Sequence, residues 1–460
     1  MPYLFKKHYP LRNIIFCIGE GSLIFLSFCL VYDIMIGNYL YFYYLSTHLI
    51  QAALVTFIFQ LCLYFFDLYD LSRDLSLTET ATRMTQAFGL GCIVLGIIYF
   101  TIPLVTTSTR IFWPSYIAIC CVVMLWRWAY YFILRKRLFV QNILVLGTGN
   151  FANDIAIAVE GKHDSAYKII NFIGETEVEF NPHNIQVLKK IPDMVSYCQT
   201  HNIEKIVLAL DDRRKKTPTQ QLLQCKLNGI TINQGVTFYE GITGKLLVER
   251  VDPSGIFFSD GFTISRWTYV MKRILDICLS VLGLIISLPV TLLSAIIIKY
   301  ESPGPVFYLQ ERVGEKGAIF KVIKFRSMRQ DAEKNGAVWA MKNDPRVTRF
   351  GGFIRKVRID EIPQMINVLK GEMSFVGPRP ERPVFVEKLT EDIPYYSIRH
   401  YIKPGITGWA QVCYPYGASV EDSLRKLEYD LYYMKDVSII MDLMIIFQTI
   451  KTVLFKKSGQ

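Results

Sequence analysis

Charge is scarce in this chain, and what there is leans one way. Only 20% of the 460 residues are Asp, Glu, Lys or Arg, against 51% hydrophobic, which excludes an ordinary soluble enzyme along the whole length. Acidic residues fall short of basic ones, 40 against 51, and leave a net charge of +11. That balance suits anionic head groups or phosphates. With apolar segments this long a membrane surface is the better partner, and nucleic acid is not expected. The ten cysteines include no C-x-x-C pair and no Cys/His ligand spacing. Cys17, Cys29, Cys62, Cys92, Cys120 and Cys121 sit in apolar segments and read as small buried residues in a reducing compartment. A chain of this length holds two or three domains.

The first block, residues 1–138, carries four apolar segments at about 14–36, 49–66, 85–105 and 111–134. Each is near the ~20 residues that a spanning helix needs. The first is too long for a signal peptide and is followed by further spans. Lys6, Lys7 and Arg12 precede it, Arg73 and Arg83 lie between the second and third, and Arg135, Lys136 and Arg137 follow the fourth. The remaining two loops hold only Arg110, so both ends of this four-helix bundle belong on the cytoplasmic side. Within the spans, Glu20 and Arg127 read as a helix–helix pair and Asp33 as an interfacial residue.

Residues 139–265 are soluble in character. QNILVLGTGNFANDIAIAVE (141–160) reads as strand, glycine turn and helix, and Gly147-x-Gly149-x-x-Ala152 fits a dinucleotide fingerprint. Further strands are expected at 168–173 and 203–210, giving a Rossmann-like α/β domain. The acidic residue that should end the second strand is missing; Asn171-Phe172-Ile173-Gly174 stands there. NAD at Gly147 and Gly149 is therefore one reading, and a degenerate module used for assembly or regulation is the other.

No charge occurs over the 22 residues between Asp276 and Lys299, ~33 Å of helix and enough to cross a bilayer. Both flanks are basic, with Lys272 and Arg273 before and Lys299 and Arg312 after, so both prefer one side. Pro289 removes a backbone bond mid-way and Ser287 is close enough to satisfy a freed group. A re-entrant helix at about 274–300, broken near Ser287 and Pro289, fits both facts.

Beyond it, VFYLQERV and AIFKVIKFRSM read as two strands joined across GEKG, with Lys324 and Arg326 on one face. Asp360 is an expected N-cap of a helix from Glu361 to Leu369 that stops at Lys370-Gly371. The helix dipole with Arg355 and Arg358 should keep it ionised, a poor proton donor but a good nucleophile or metal ligand. Taken alone, such an Asp-Glu pair is also an ordinary structural cap. Arg379 is presented between two prolines, and Arg326, Arg355 and Arg379 read as phosphate contacts. Trp409 and Gln411 frame a base or sugar, with core packing the equal alternative for Trp409. The final segment, interrupted by Asp442, Gln448 and Lys451, reads as a helix lying on a membrane.

The run DEIPQ…NVLKGEMSFVGPRP, with KFRSM upstream and KPGITGWAQV downstream, resembles the bacterial sugar transferases. These are monotopic polyisoprenyl-phosphate hexose-1-phosphate transferases, or phosphoglycosyl transferases. The resemblance covers about residues 269–457, and the preceding chain is similar to the long form of that family. It implies a multidomain membrane protein: a four-helix transmembrane bundle, a Rossmann-like middle domain, and an α+β monotopic catalytic domain at 269–460 with a re-entrant helix. It further implies transfer of a sugar-1-phosphate from a UDP-sugar to undecaprenyl phosphate, releasing UMP, at the bacterial inner membrane. Asp360 would be the nucleophile, Asp360 and Glu361 would hold Mg²⁺, and Lys324, Arg326, Arg355 and Arg379 would hold phosphates; a homodimer is expected. Leu288-Pro289 replaces the family's Ser-Pro pair, and Cys413–Gly417 replaces its Asn-Gly-Arg, so sugar identity does not carry over. The other classes left open are a membrane-bound NAD-dependent nucleotide-sugar oxidoreductase and a non-catalytic scaffold.

Overall fold

The computed structural model describes residues 11–36, 45–69, 77–135, 140–161, 166–211, 217–250, 261–330, 344–415, 417 and 419–455. It divides into two compact units, Met1–Phe238 and Tyr239–Gln460.

The first unit opens with helices α1 (Leu11–Ile36), α2 (Leu45–Phe65), α3 (Leu77–Thr101) and α4 (Thr109–Arg135), which cover the four expected spans. They are apolar on every side. Phe28, Phe59, Leu63, Leu95 and Ile119 fill the interior, while Ile18, Ile97 and Leu125 point outward. Helices of that kind suit a lipid surround. The expected charge pair is present: Arg127 Nε lies 2.8 Å from Glu20 Oε1, and Arg127 Nη2 donates to Glu20 Oε2 at 2.9 Å. Arg127 also donates to the Leu68 carbonyl and stacks on Phe16 and Tyr69. Asp33 is exposed. The cations Lys6, Lys7, Arg73, Lys136 and Arg137 lie outside the described residues.

The same unit continues through β1 (Gln141–Leu146), α5 (Asn150–Glu160), β2 (Tyr167–Ile173), β3 (Val187–Leu188), α6 (Met194–Thr200), β4 (Lys205–Leu208), α7 (Thr219–Leu227) and β5 (Thr231–Gln234). The sheet is parallel in the order β3-β2-β1-β4-β5, so the strand order reverses beside β1, at the glycine turn. Helix α8 (Gly235–Thr243) follows.

In the second unit, α9 runs from Arg266 to Glu301, 36 residues capped by Ser265. The expected interruption at Pro289 is not found. The helix is continuous through it, and Ser287 Oγ donates to the Leu284 carbonyl. A proline removes one ladder bond, and the turns on either side keep theirs. Both ends of α9 are docked on this unit. Near its start Arg273 donates to the carbonyls of Val368 and Leu369, and Asp276 accepts from Ser374 Oγ and the Phe375 amide. At its end Arg326 donates to the carbonyls of Ser302 and Pro303, and Glu301 accepts from the Phe350 amide. Between these anchors Ile285, Ile286, Leu288, Leu292 and Leu293 are all more than half exposed.

The rest comprises the antiparallel hairpin β6 (Phe307–Val313) and β7 (Ile319–Phe325), α10 (Arg349–Lys356), α11 (Gln364–Lys370), β8 (Ser374–Val376), α12 (Pro383–Asp392), β9 (Gly405–Thr407), α13 (Trp409–Cys413), α14 (Val420–Lys435) and α15 (Ile439–Phe455). In α15 the expected polar interruption turns inward: Asp442 is 1% exposed and accepts from Lys272 and Tyr433. Ile440, Leu443, Phe447 and Ile450 line the outer face. Among the described residues five helices, α1 to α4 and α9, are long and apolar enough to cross a membrane.

Removing one partner of a buried ion pair leaves the other uncompensated. Glu20→Ala should therefore cost on the order of 3 kcal/mol and lower the unfolding temperature in detergent. The double variant Glu20→Met/Arg127→Met should recover most of that loss; a double variant as unstable as the single one would contradict the pairing.

Candidate functional site

The segment between α10 and α11 bends through Arg358, whose φ of 57° puts a non-glycine residue in the left-handed region. Such a conformation persists only where surrounding contacts hold it. Ile359–Glu361 then form one 3-10 turn, and α11 starts later, after Pro363. Asp360 is thus not the cap of that helix, because the left-handed turn and Pro363 delay it by a turn. Its far end is as expected: Gly371, at φ 86°, closes it after Lys370.

Both carboxylates are turned inward and are 9% exposed, yet they differ in company. Glu361 Oε1 accepts from Arg379 Nη2 at 2.8 Å and lies 3.7 Å from Lys324 Nζ, while Arg358 Nη1 approaches Oε2 at 3.3 Å. Burial alone would raise its pKa; Arg379, then Lys324 and Arg358, hold it well below the usual carboxylate range. Asp360 makes no hydrogen bond or ion pair among the described residues. Burial first, and the Glu361 charge second, push it up to about 6 against the pull of Lys324, Arg355 and Arg379. The expected strong ionisation of Asp360 is therefore corrected. The cations are spent on its neighbour, and Asp360 keeps a charge that nothing fully offsets. Burial likewise pushes the Lys324 amine down to about 8, against the attraction of Glu361.

Arg312, Val322, Lys324, Gln364, Arg379 and Pro380 line a narrow cleft beside this pair. Arg312 and Gln364 are additions to the expected set. The hairpin carried the signal for Arg312: Tyr308 pairs with Lys324 and Gln310 with Val322, so alternate residues of β6 share the face of Lys324. Arg355 stands half-buried on α10 and adds its field to Asp360.

Three expected site residues lie elsewhere. Arg326 is 6% exposed and caps the end of α9, so its guanidinium has no reach to phosphate. Trp409 is 5% exposed, donates to the Gly244 carbonyl and packs in the core with Leu427 and Tyr432; of the two readings, packing holds. Gln411 donates to the Ile406 carbonyl and is not on the cleft wall. Ser287, half-buried, and Pro289, exposed, lie on the stretch of α9 between its two anchors.

The glycine turn in the first unit is built but filled. Gly147 has a φ of 133°, and a Cβ there would meet the Ala209 carbonyl. A Cβ on Gly149 would overlap the Asp211 carboxylate, whose Oδ1 accepts from the Phe151 amide at the start of α5. A pyrophosphate would need that same helix terminus. The chain's own carboxylate has taken the place of the anion, which argues against NAD at Gly147 and Gly149.

Among the described residues no group of three or more His, Cys, Asp and Glu side chains is clustered to hold a metal. A hard divalent cation that keeps most of its waters and binds through one carboxylate and substrate oxygens needs less than that. Asp360 offers the carboxylate. Glu361, expected as the second ligand, is already committed to three cations.

Residues 267–456 match the bacterial sugar transferase family, and residues 64–232 match a CoA-binding domain family. The chain is 43% identical over 234 residues to a UDP-N-acetylgalactosamine-undecaprenyl-phosphate N-acetylgalactosaminephosphotransferase of Aeromonas hydrophila, covering 51% of this chain and 54% of that protein. It is 43% identical over 258 residues to a UDP-glucose:undecaprenyl-phosphate glucose-1-phosphate transferase of Escherichia coli, 54% of each chain. With an uncharacterized sugar transferase of Haemophilus influenzae it shares 30% identity over 348 residues, 70% of this chain and 71% of that one. The chain spans about half the length of the first two.

Because the folded pKa of Asp360 is raised, the stability its protonated form confers is full below the unfolded value near 3.8 and is lost as pH rises through about 6. Asp360→Asn, which mimics the protonated form, should stabilise the protein at pH 7.5 by on the order of 2 kcal/mol and have little effect at pH 4. Thermal unfolding at the two pH values checks this. In calorimetry, NAD titrated into the wild-type protein should give no binding heat, and Asp211→Ala is the change that should admit it.

Proposed function

The chain belongs to the bacterial sugar transferases, and from that membership we propose that it transfers a sugar-1-phosphate from a UDP-sugar to undecaprenyl phosphate and releases UMP. The observation that carries the reading is the division of labour in the dyad. Asp360 keeps a carboxylate that the nearby cations offset only in part, while Glu361 gathers Arg379, Lys324 and Arg358 around it.

In the first step an Asp360 carboxylate oxygen attacks the phosphorus next to the sugar. The new oxygen–phosphorus bond replaces the one to the UMP oxygen, and UMP leaves with that electron pair. In the second step a phosphate oxygen of the lipid attacks the same phosphorus and the carboxylate is released. One anhydride is exchanged for another, so no further energy source is required. Arg379 and Lys324 line the cleft where the donor phosphates would lie, and Arg355 adds positive field on the α10 side. Asp360 would hold Mg²⁺, which would supply positive charge to offset that of the phosphates during the displacement.

Re-entrance of α9 is part of the same proposal. Its two ends are anchored on one unit, so a bend at Pro289 that leaves the helix continuous would let the apolar stretch from Ile285 to Leu293 enter a bilayer and return on the same side. The outward apolar face of α15 would lie on that surface. The catalytic face is then cytoplasmic, where nucleotide sugars are, and the reaction would open exopolysaccharide, capsule or O-antigen assembly.

Release of UMP from a panel of UDP-sugars, with undecaprenyl phosphate in detergent or nanodiscs, tests the proposal. Asp360→Asn should reduce release by at least ~1,000-fold, whereas replacing Gly147 should leave the chemical step in place. The rate should fall as pH drops through about 6, where Asp360 becomes protonated. Full activity in Asp360→Asn would end this reading.

A further inference from the structure

Residues 233–266 lie outside both family matches, yet the second unit begins at Tyr239. The reason is a strap, residues 239–248, that is packed into this unit as firmly as its own core. Leu246 and Val248 are each 3% exposed and sit in one cluster with Val376, Trp409, Leu427 and Leu431. The Leu246 amide donates to the Glu428 carbonyl at 3.0 Å. Two ion pairs flank it: Lys245 Nζ lies 3.2 Å from Glu428 Oε2, and Lys435 Nζ lies 2.7 Å from Glu240 Oε2. At its tightest point Gly244, at φ 67°, faces the Trp409 ring, and Trp409 Nε1 donates to the Gly244 carbonyl at 2.8 Å.

Trp409 is two residues past the end of β9. That strand pairs with β8, and the ladder continues into the loop that presents Arg379. The Gly377 amide donates to the Thr407 carbonyl and the Gly405 amide to the Pro378 carbonyl, both at 2.9 Å. A Cβ on Gly408 would strike the Gly377 carbonyl, so the residue between β9 and Trp409 lies directly against the loop. We infer that residues 239–248 are a positioning segment of the active site, fixing Trp409 and, through the β8–β9 ladder, the loop that aims Arg379. The inference rests on the transferase reading for its kinetics and on packing alone for its structural half.

The strap touches no reacting atom, so its loss should act through Arg379. In the full-length protein, Lys245→Met and Trp409→Phe should each lower kcat/KM for UMP release by ~10-fold. The phenylalanine keeps an aromatic ring but loses the indole donor and part of the ring volume, whereas Lys245→Met leaves the Trp409 packing intact. In an Arg379→Lys background the same changes should cost less than ~2-fold, since residues acting as one unit are not additive. Hydrogen exchange should rise by ~10-fold in peptides covering 374–380 and 404–408, and stay unchanged in the β6–β7 hairpin. Equal losses in both backgrounds, no kinetic loss, or unchanged exchange at 374–380 would each overturn the inference. If the wild-type protein releases no UMP from any UDP-sugar, the transferase reading fails, and the exchange result alone decides whether the strap holds the loop.

Discussion

One carboxylate settles the electrostatics of the second unit. Glu361 is nearly buried and would be costly to ionise without partners. Three cations from three places in the chain, Lys324 on β7, Arg358 in its left-handed turn and Arg379 on its proline-flanked loop, converge on it. Their convergence fixes the hairpin, the 3-10 turn and the loop relative to one another. It also decides the state of the neighbouring residue. With the nearest cations drawn to Glu361, burial and the Glu361 charge hold the Asp360 carboxyl above its ordinary range, a state that suits the nucleophile proposed for this position.

Membrane contact follows a parallel logic of polar groups turned in and apolar groups turned out. Lys272, Arg273 and Asp276 on α9, and Asp442 on α15, all spend their polarity on the unit's own backbone and side chains. The surfaces left over are Ile285, Ile286 and Leu288 on one helix and Leu443 and Phe447 on the other. In the bundle the arrangement is similar, with Glu20 and Arg127 paired inside and leucines and isoleucines outside.

Much of this was legible from residue order. Hydrophobic length marks α1 to α4 and α9, period-two alternation marks β6 and β7, and Glu20 with Arg127 are the charges that needed each other. What could not be read was which of several like residues reaches which partner. Arg326 and Lys324 are two positions apart, yet one caps α9 and the other meets Glu361, because the strand ends between them. Asp360 looked like a cap because nothing local announces that Arg358 adopts a positive φ. Asp211 lies 62 positions beyond Gly149, so a local motif gives no warning that the turn is filled. Asp442 read as a polar break in an apolar run, since the run does not disclose that Lys272 waits on its inner side.

That lysine has a wider reach. Its amine bonds at once to Asp442 on α15, to the Tyr433 hydroxyl on α14 and to the carbonyl of Val376, the residue immediately before the loop of Arg379. The footing of the loop is therefore shared by the two helices that carry the apolar outer surface. A shift in how deeply those helices settle would travel to the guanidinium through a single ammonium group. If those helices sit in a bilayer as proposed, lipid chain length and lateral pressure would become inputs to the cleft alongside the concentrations of its substrates.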